Sequence, residues 1–186
     1  DGVRYVKVID YKTGVKTFSL KDIYYGLQLQ LIFYMDCVLK NLNKEGIKAL
    51  PGGMFYYRVS DPTIRTDGDL SKEDIERLLS GEFKMSGLML EDKNVYKALD
   101  VNNYNDSDIV PLGLNKDGGA KSGSGVASEK DYKHIIKYAE DTAAKIGKNI
   151  VGGNISVSPY ADSGKSPCSY CLYKSVCLVD DGVKKR

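Results

Sequence analysis

Apolar and polar positions along the chain change period several times, and each change marks an element. From Val3 to Asp10, Tyr5, Lys7 and Ile9 alternate with Arg4, Val6, Val8 and Asp10, a two-residue period that predicts a strand ended by the turn Lys12-Thr13-Gly14. Ser19-Leu20-Lys21-Asp22 supplies a capping-box-like start. Leu20, Ile23, Tyr24, Leu27, Leu31, Tyr34, Met35, Val38 and Leu42 then recur at helical spacing, which predicts one long amphipathic helix. Pro51-Gly52-Gly53 is expected to break the chain before Met54 to Val59, a run apolar on both faces that suits an interior strand stopped by Asp61-Pro62.

The second half is less regular. Ser71 to Asp74 repeats the cap signature ahead of a helix to about Leu79, and Val95 to Leu99 suits another turn or two. Residues 101–127 are rich in Gly, Ser, Asn and Asp, with Ile109 to Leu114 as the one strand-like island, and are expected to form a flexible surface loop. Ser128 to Asp131 caps a further helix whose inward positions are Tyr132, Ile135, Ile136, Ala139, Ala143 and Ile146, with Gly147 at its end. Ile155 to Pro159 suits a short edge strand, beyond which the cysteine-bearing segment begins.

Composition narrows the classes. A chain of 186 residues with 42% hydrophobic residues can bury one sizeable core, and no stretch is apolar for long enough to span a bilayer. Its start at Asp1, without an initiating Met or export signal, suggests a piece of a longer cytoplasmic protein. The net charge of +2 does not argue for nucleic acid by itself. His134 is the only histidine, which excludes Ser-His-Asp triads, Cys-His proteases and two-histidine zinc catalysts.

Candidate chemistry lies at the two ends. Residues two apart in a strand share a face, so Asp10 and Lys12 can enter one site, the carboxylate to hold Mg²⁺ and the cation to act on a nucleophile or phosphate. So short a motif also recurs by chance at ordinary strand ends. Gln30 stands on or beside the apolar stripe of the long helix, where an amide needs partners, which favours a site-facing role; Tyr34 taken alone suits the core. Cys168, Cys171 and Cys177 form a Cys-x2-Cys-x5-Cys run able to hold zinc or an iron–sulfur cluster, although both want four ligands. His134 is an available fourth ligand for zinc, and Cys37 suits a core edge.

The succession Val8-Ile-Asp10-Tyr11-Lys12-Thr-Gly14, Tyr25-Gly-Leu-Gln-Leu-Gln30-Leu-Ile-Phe-Tyr34, Gly52 to Pro62 and the cysteine run resembles the C-terminal nuclease domain of the AddB family, which supplies the second of the two subunits in bacterial AddAB (RexAB) helicase-nucleases. The resemblance covers nearly the whole chain, in order. It implies a restriction-endonuclease-like α/β fold of the PD-(D/E)XK class: a mixed central sheet flanked by helices over residues 1–160, and an iron–sulfur cysteine segment over 161–186. It implies Mg²⁺ bound by Asp10 and the Tyr11 carbonyl, Lys12 placing the attacking water, and Gln30 and Tyr34 on the DNA side. It also implies a [4Fe-4S] cluster on Cys168, Cys171 and Cys177 with a fourth cysteine from far upstream, an AddA partner forming a heterodimer, ATP-driven translocation elsewhere in the complex, DNA ends as substrate and cleavage of the 5′-ended strand. Such nucleases draw another metal-binding aspartate from a strand ahead of Asp10, so this chain is expected to hold half a centre and to be inactive alone. The rival readings are a DNA-binding scaffold with idle nuclease residues and a zinc-ribbon interaction module.

Overall fold

The computed structural model describes residues 2–63, 68–161 and 166–177. Two compact units divide at Thr142/Ala143, within the last long helix; the first holds the sheet and the second Cys168, Cys171 and Cys177.

Four strands form a mixed sheet in the order β1-β2-β3-β4: β1 (Arg4–Lys12), β2 (Ala49–Arg58), β3 (Ser86–Leu90) and β4 (Val126–Ala127). β1 and β2 run parallel, β2 and β3 antiparallel, and β3 and β4 parallel. A parallel pair needs a crossover, and here it carries α1 (Leu20–Tyr24) and α2 (Gln30–Lys44). β1 runs through Asp10 and Lys12 to the very end of its pairing with β2, where Lys12 stands opposite Arg58.

The single helix expected from Leu20 to Leu42 is two helices. Ser19 caps α1 through the Asp22 amide, but Gly26 has a φ of 76° and turns the chain. Gln28 then folds inward and bonds the Thr17 carbonyl at 3.0 Å and the Asp22 carboxylate at 2.7 Å, fixing the connection. Leu20, Leu27 and Tyr34, which the periodicity puts on the buried stripe, are exposed, while Ile23, Leu31, Ile32 and Met35 are buried. Apolar periodicity is blind to a short interruption that keeps roughly the same phase.

Pro51-Gly52-Gly53 does not break the chain; it lies within β2. A register shift between Val6 and Lys7 absorbs the irregularity, so the proline sits at a bulge rather than in a regular ladder. β2 is otherwise the buried central strand expected. β3 has no counterpart among the expected elements, because five residues with an internal glycine carry little pattern. Gly87 is required there: a Cβ would meet the Met54 carbonyl oxygen at 2.1 Å and the Phe55 ring at 2.6 Å.

One face of the sheet packs α2 and the stretch Tyr132 to Ala139 of α5 (Glu129–Val151) over Val6, Val8, Met54, Tyr56 and Leu88, and the Tyr132 hydroxyl donates to the Leu88 carbonyl at 2.6 Å. The other face covers Phe55 and Met89 with Tyr96 of α4 (Lys93–Leu99) and with Val110 and Leu112. Residues 101–127, expected as a surface excursion, are exposed along much of their length, but Val110 and Leu112 are buried and β4 belongs to the sheet. α3 (Lys72–Glu82) begins at the expected Ser71 cap and runs past Leu79. α5 continues beyond Gly147 and is followed by Gly153 at a φ of 68°. No strand forms at Ile155 to Pro159; Ile155 and Val157 are exposed. Among the described residues no helix is long and apolar enough to cross a membrane.

Candidate active site

Asp10 pairs with Tyr56, so its side chain continues the interior face set by Val6 and Val8 to the end of the sheet. Only 13% of the side chain is exposed, and its buried Oδ2 accepts no hydrogen bond among the described residues. Lys12 Nζ reaches that oxygen at 2.9 Å, as an ion pair whose alignment is not that of a hydrogen bond. The ammonium also donates to Gln30 Oε1 at 3.4 Å and lies 5.8 Å from the centre of the Tyr56 ring. Gln30 Nε2 in turn donates to the Tyr34 hydroxyl at 2.7 Å.

Local folding explains the convergence. Gln30 is the first residue of α2, placed there by the Gly26 turn and the buried Gln28 amide, and Tyr34 follows one turn later on the same helix face. The buried amide of this region belongs to Gln28, which is 5% exposed, and not to Gln30. Gln30 and Tyr34 are exposed and look outward from the Lys12 ammonium. Tyr56, to which the sequence assigns no role, is buried against this group. Its hydroxyl is held protonated to higher pH than usual, first by burial and then by the negative charges of Asp10 and Asp22.

Tyr11 projects to the other face and meets Tyr57 edge-on at 6.0 Å. The Arg4 amide and the Lys12 carbonyl bond toward β2 and its flanks, and alternate residues of a strand face opposite edges. The Tyr11 carbonyl therefore faces the outer edge of β1, which no strand covers among the described residues. Mg²⁺ takes oxygen ligands in octahedral geometry and keeps several waters, using one or two protein carboxylates with substrate phosphates. Asp10, with a buried oxygen lacking a hydrogen bond, and the Tyr11 carbonyl fit the protein share of such a set. Among the described residues no group of three His, Cys, Asp or Glu side chains is placed to hold a metal.

The same holds for the thiols. Cys168 lies in a short 3-10 turn (Pro167–Tyr170) and Cys177 ends α6 (Lys174–Cys177). Cys168 is half-buried, Cys171 and Cys177 are exposed, and all three are free. They do not converge, so this arrangement does not fit a closed cluster. Residues 162–165 and 178–186 of that segment lie outside the described residues. Cys37 is exposed on α2, not at a core edge, and His134 is exposed on α5.

A mixed sheet that carries Asp-x-Lys at the end of an edge strand, braced by a Gln-x-x-x-Tyr helix, is a nuclease arrangement. Residues 1–178 match the PD-(D/E)XK nuclease superfamily, and the chain belongs to it. Among individual proteins, it is 41% identical over 186 residues to an ATP-dependent helicase/deoxyribonuclease subunit of Clostridium botulinum (strain Langeland), covering 99% of this chain and 16% of that protein. It is 38% identical over 187 residues to the helicase/deoxyribonuclease subunit of the same name from Clostridium kluyveri, with 99% and 16% covered. The counterpart from a Thermoanaerobacter species is 34% identical over 173 residues, with 93% and 15% covered. The chain thus spans about a sixth of the length of these relatives.

Proposed function

We propose that the chain is the Mg²⁺-dependent exonuclease domain of an ATP-dependent helicase-nuclease that prepares double-strand breaks for recombination, acting on DNA ends beside an AddA-type partner in the cytoplasm. The convergence of Asp10, Lys12, Gln30 and Tyr34 carries this reading. The names of the relatives support the deoxyribonuclease and its place in a multi-subunit enzyme.

Bound Mg²⁺ would supply Lewis-acid charge on the scissile phosphate and ease deprotonation of the attacking water. The residues of the chain do the positioning. Asp10 and the Tyr11 carbonyl would be the ion's oxygen ligands from this chain. Lys12 orients the attacking water and offsets charge that grows on the phosphate as the bond breaks. Gln30 accepts from the Lys12 ammonium and so restricts its position, while Tyr34 fixes which way the Gln30 amide points. One carboxylate is a thin share of a metal site. We therefore assign a second acid to a residue outside the described set, and expect the chain alone to be inactive. The Cys-x2-Cys-x5-Cys spacing supports an iron–sulfur cluster completed by an outside ligand, and the dispersed thiols indicate that the cluster is not closed by these residues.

The test is Mg²⁺-dependent degradation of linear DNA by the full-length protein with its partner, wild type against Asp10→Asn. Loss on the order of a thousandfold is expected for removing the metal-binding charge. Undiminished degradation by the variant would assign cleavage to the partner and leave this domain a scaffold.

A further inference from the structure

A second polar feature adjoins Asp10 and Lys12. Where β1 and β2 end and β3 begins, the chain encloses a cavity of about 210 Å³. Its wall includes four cations, Lys12, Lys16, Arg58 and Lys84, against a single acid, Glu82. Two of these charges are committed: Arg58 pairs with Glu82 at 2.9 Å, and Lys12 with Asp10 at 2.9 Å. Lys16 and Lys84 make no ion pair among the described residues, and each is brought to the rim by a different segment, the loop after β1 and the connection from α3 to β3. Tyr56 also lines the cavity, and its hydroxyl makes no hydrogen bond among the described residues.

Lys16 and Lys84 are exposed, so water screens them from one another, but a concave rim that carries two unpaired cations still favours an anion between them. The volume lies below the roughly 300–1,000 Å³ typical of pockets that take a drug-sized molecule. A small anionic group fits. Lys12 belongs both to this wall and to the candidate active site, so an anion here lies beside the ammonium that pairs with Asp10.

We propose that this cavity is a subsite for a backbone phosphodiester of the nucleic-acid strand, flanking the scissile one, held by Lys16 and Lys84 with Arg58 and the Tyr56 hydroxyl behind them. The proposal rests on the nuclease reading and adds to it a second grip on the strand. Two adjacent phosphates fixed at once set the position of the strand along the site, which a single charge at Lys12 does not. Neither lysine depends on the sequence of the DNA, in keeping with contacts to the backbone.

The test uses the full chain, a short single-stranded oligodeoxynucleotide and chelator, so that binding is read without cleavage. Lys16→Gln with Lys84→Gln alters two side chains at the cavity rim, and circular dichroism checks that the fold survives. The slope of log affinity against log salt should fall by about 0.7, the value for one phosphate contact on a single strand, with an affinity loss of about fivefold near 0.1 M salt. Methylphosphonate placed at one linkage at a time should show one position that weakens binding to the wild type and is silent in the double variant. An unchanged slope, a position that stays sensitive in the variant, or no oligonucleotide binding by the wild type overturns the subsite. Inorganic phosphate that binds wild type and not the variant, while oligonucleotide affinity is equal, also overturns it and assigns the cavity to free phosphate. None of these outcomes bears on Asp10, whose role is read from cleavage in the assembled enzyme.

Discussion

Two poorly exposed carboxylates in this chain are treated in opposite ways. Asp100, at the end of α4, is 4% exposed and saturated: it accepts from the Ser107 hydroxyl at 2.7 Å and from the Asn102 and Asn103 amides at 3.1 and 3.0 Å. Among the described residues Asp10 has a buried oxygen without a hydrogen bond, paired with the Lys12 ammonium, itself held by Gln30. A buried acceptor left without donors costs on the order of 1–3 kcal/mol. A fold tolerates that cost where the group has another task. The first carboxylate organises a loop; the second is the one that the proposed function assigns to the metal.

The contrast is broken most forcefully at Asp100. Replacing it by Ala removes three acceptor bonds and strands the Ser107 hydroxyl and two amides, so Asp100→Ala should lower stability by about 3 kcal/mol, read by denaturant melting of the chain. Cleavage per folded molecule of the assembled enzyme should be retained. A smaller version of the contrast lies between two glutamines. Gln28→Leu should cost about 2 kcal/mol, because Asp22 and the Thr17 carbonyl lose their donor, and Gln30→Leu less than about 0.5 kcal/mol at an exposed site. Cleavage should fall roughly tenfold with Gln30→Leu, from the loosened Lys12 ammonium; wild-type rates in that variant would make Gln30 an ordinary surface residue.

The smallest effect is in pH. Hydrogen bonds from the Asn103 amide, then from Ser107, hold the Asp100 carboxyl below its ordinary range. A depressed folded pKa means stability present above the unfolded value, about 3.9, and lost as pH falls through the folded one. Asp131 is depressed in the same direction, first by the Ser128 hydroxyl and then by its amide at the start of α5. Melting midpoints should therefore decline below about pH 4, and the decline should be shallower in Asp100→Asn.

Much of this is legible in the sequence, and the failures have physical reasons. The two-residue period of β1 and the Ser71 and Ser128 caps are local signals, and the structure keeps them. Asp10 and Lys12 are legible because a strand places residues two apart on one face. The helix break at Gly26 is not, since apolar spacing continues in phase across it, and so the burial argument falls on Gln30 in place of Gln28. β3, β4 and the burial of Val110 and Leu112 depend on partners far along the chain, which no local pattern encodes. Arg58, Lys84 and Tyr56 reach the site only through the pairing of β2 with its neighbours, and the sequence assigns none of them a role.

The central claim is that Lys12 acts on the reaction and not on the fold. The most direct measurement is cleavage of linear DNA by the assembled enzyme carrying Lys12→Ala, with the thermal midpoint of the same preparation. The account predicts cleavage lost by at least about a hundredfold and a midpoint within a degree or two of wild type, since one partly exposed ion pair contributes on the order of 1 kcal/mol or less. Retained cleavage together with a midpoint several degrees lower would make Lys12 a strand-end brace and contradict it.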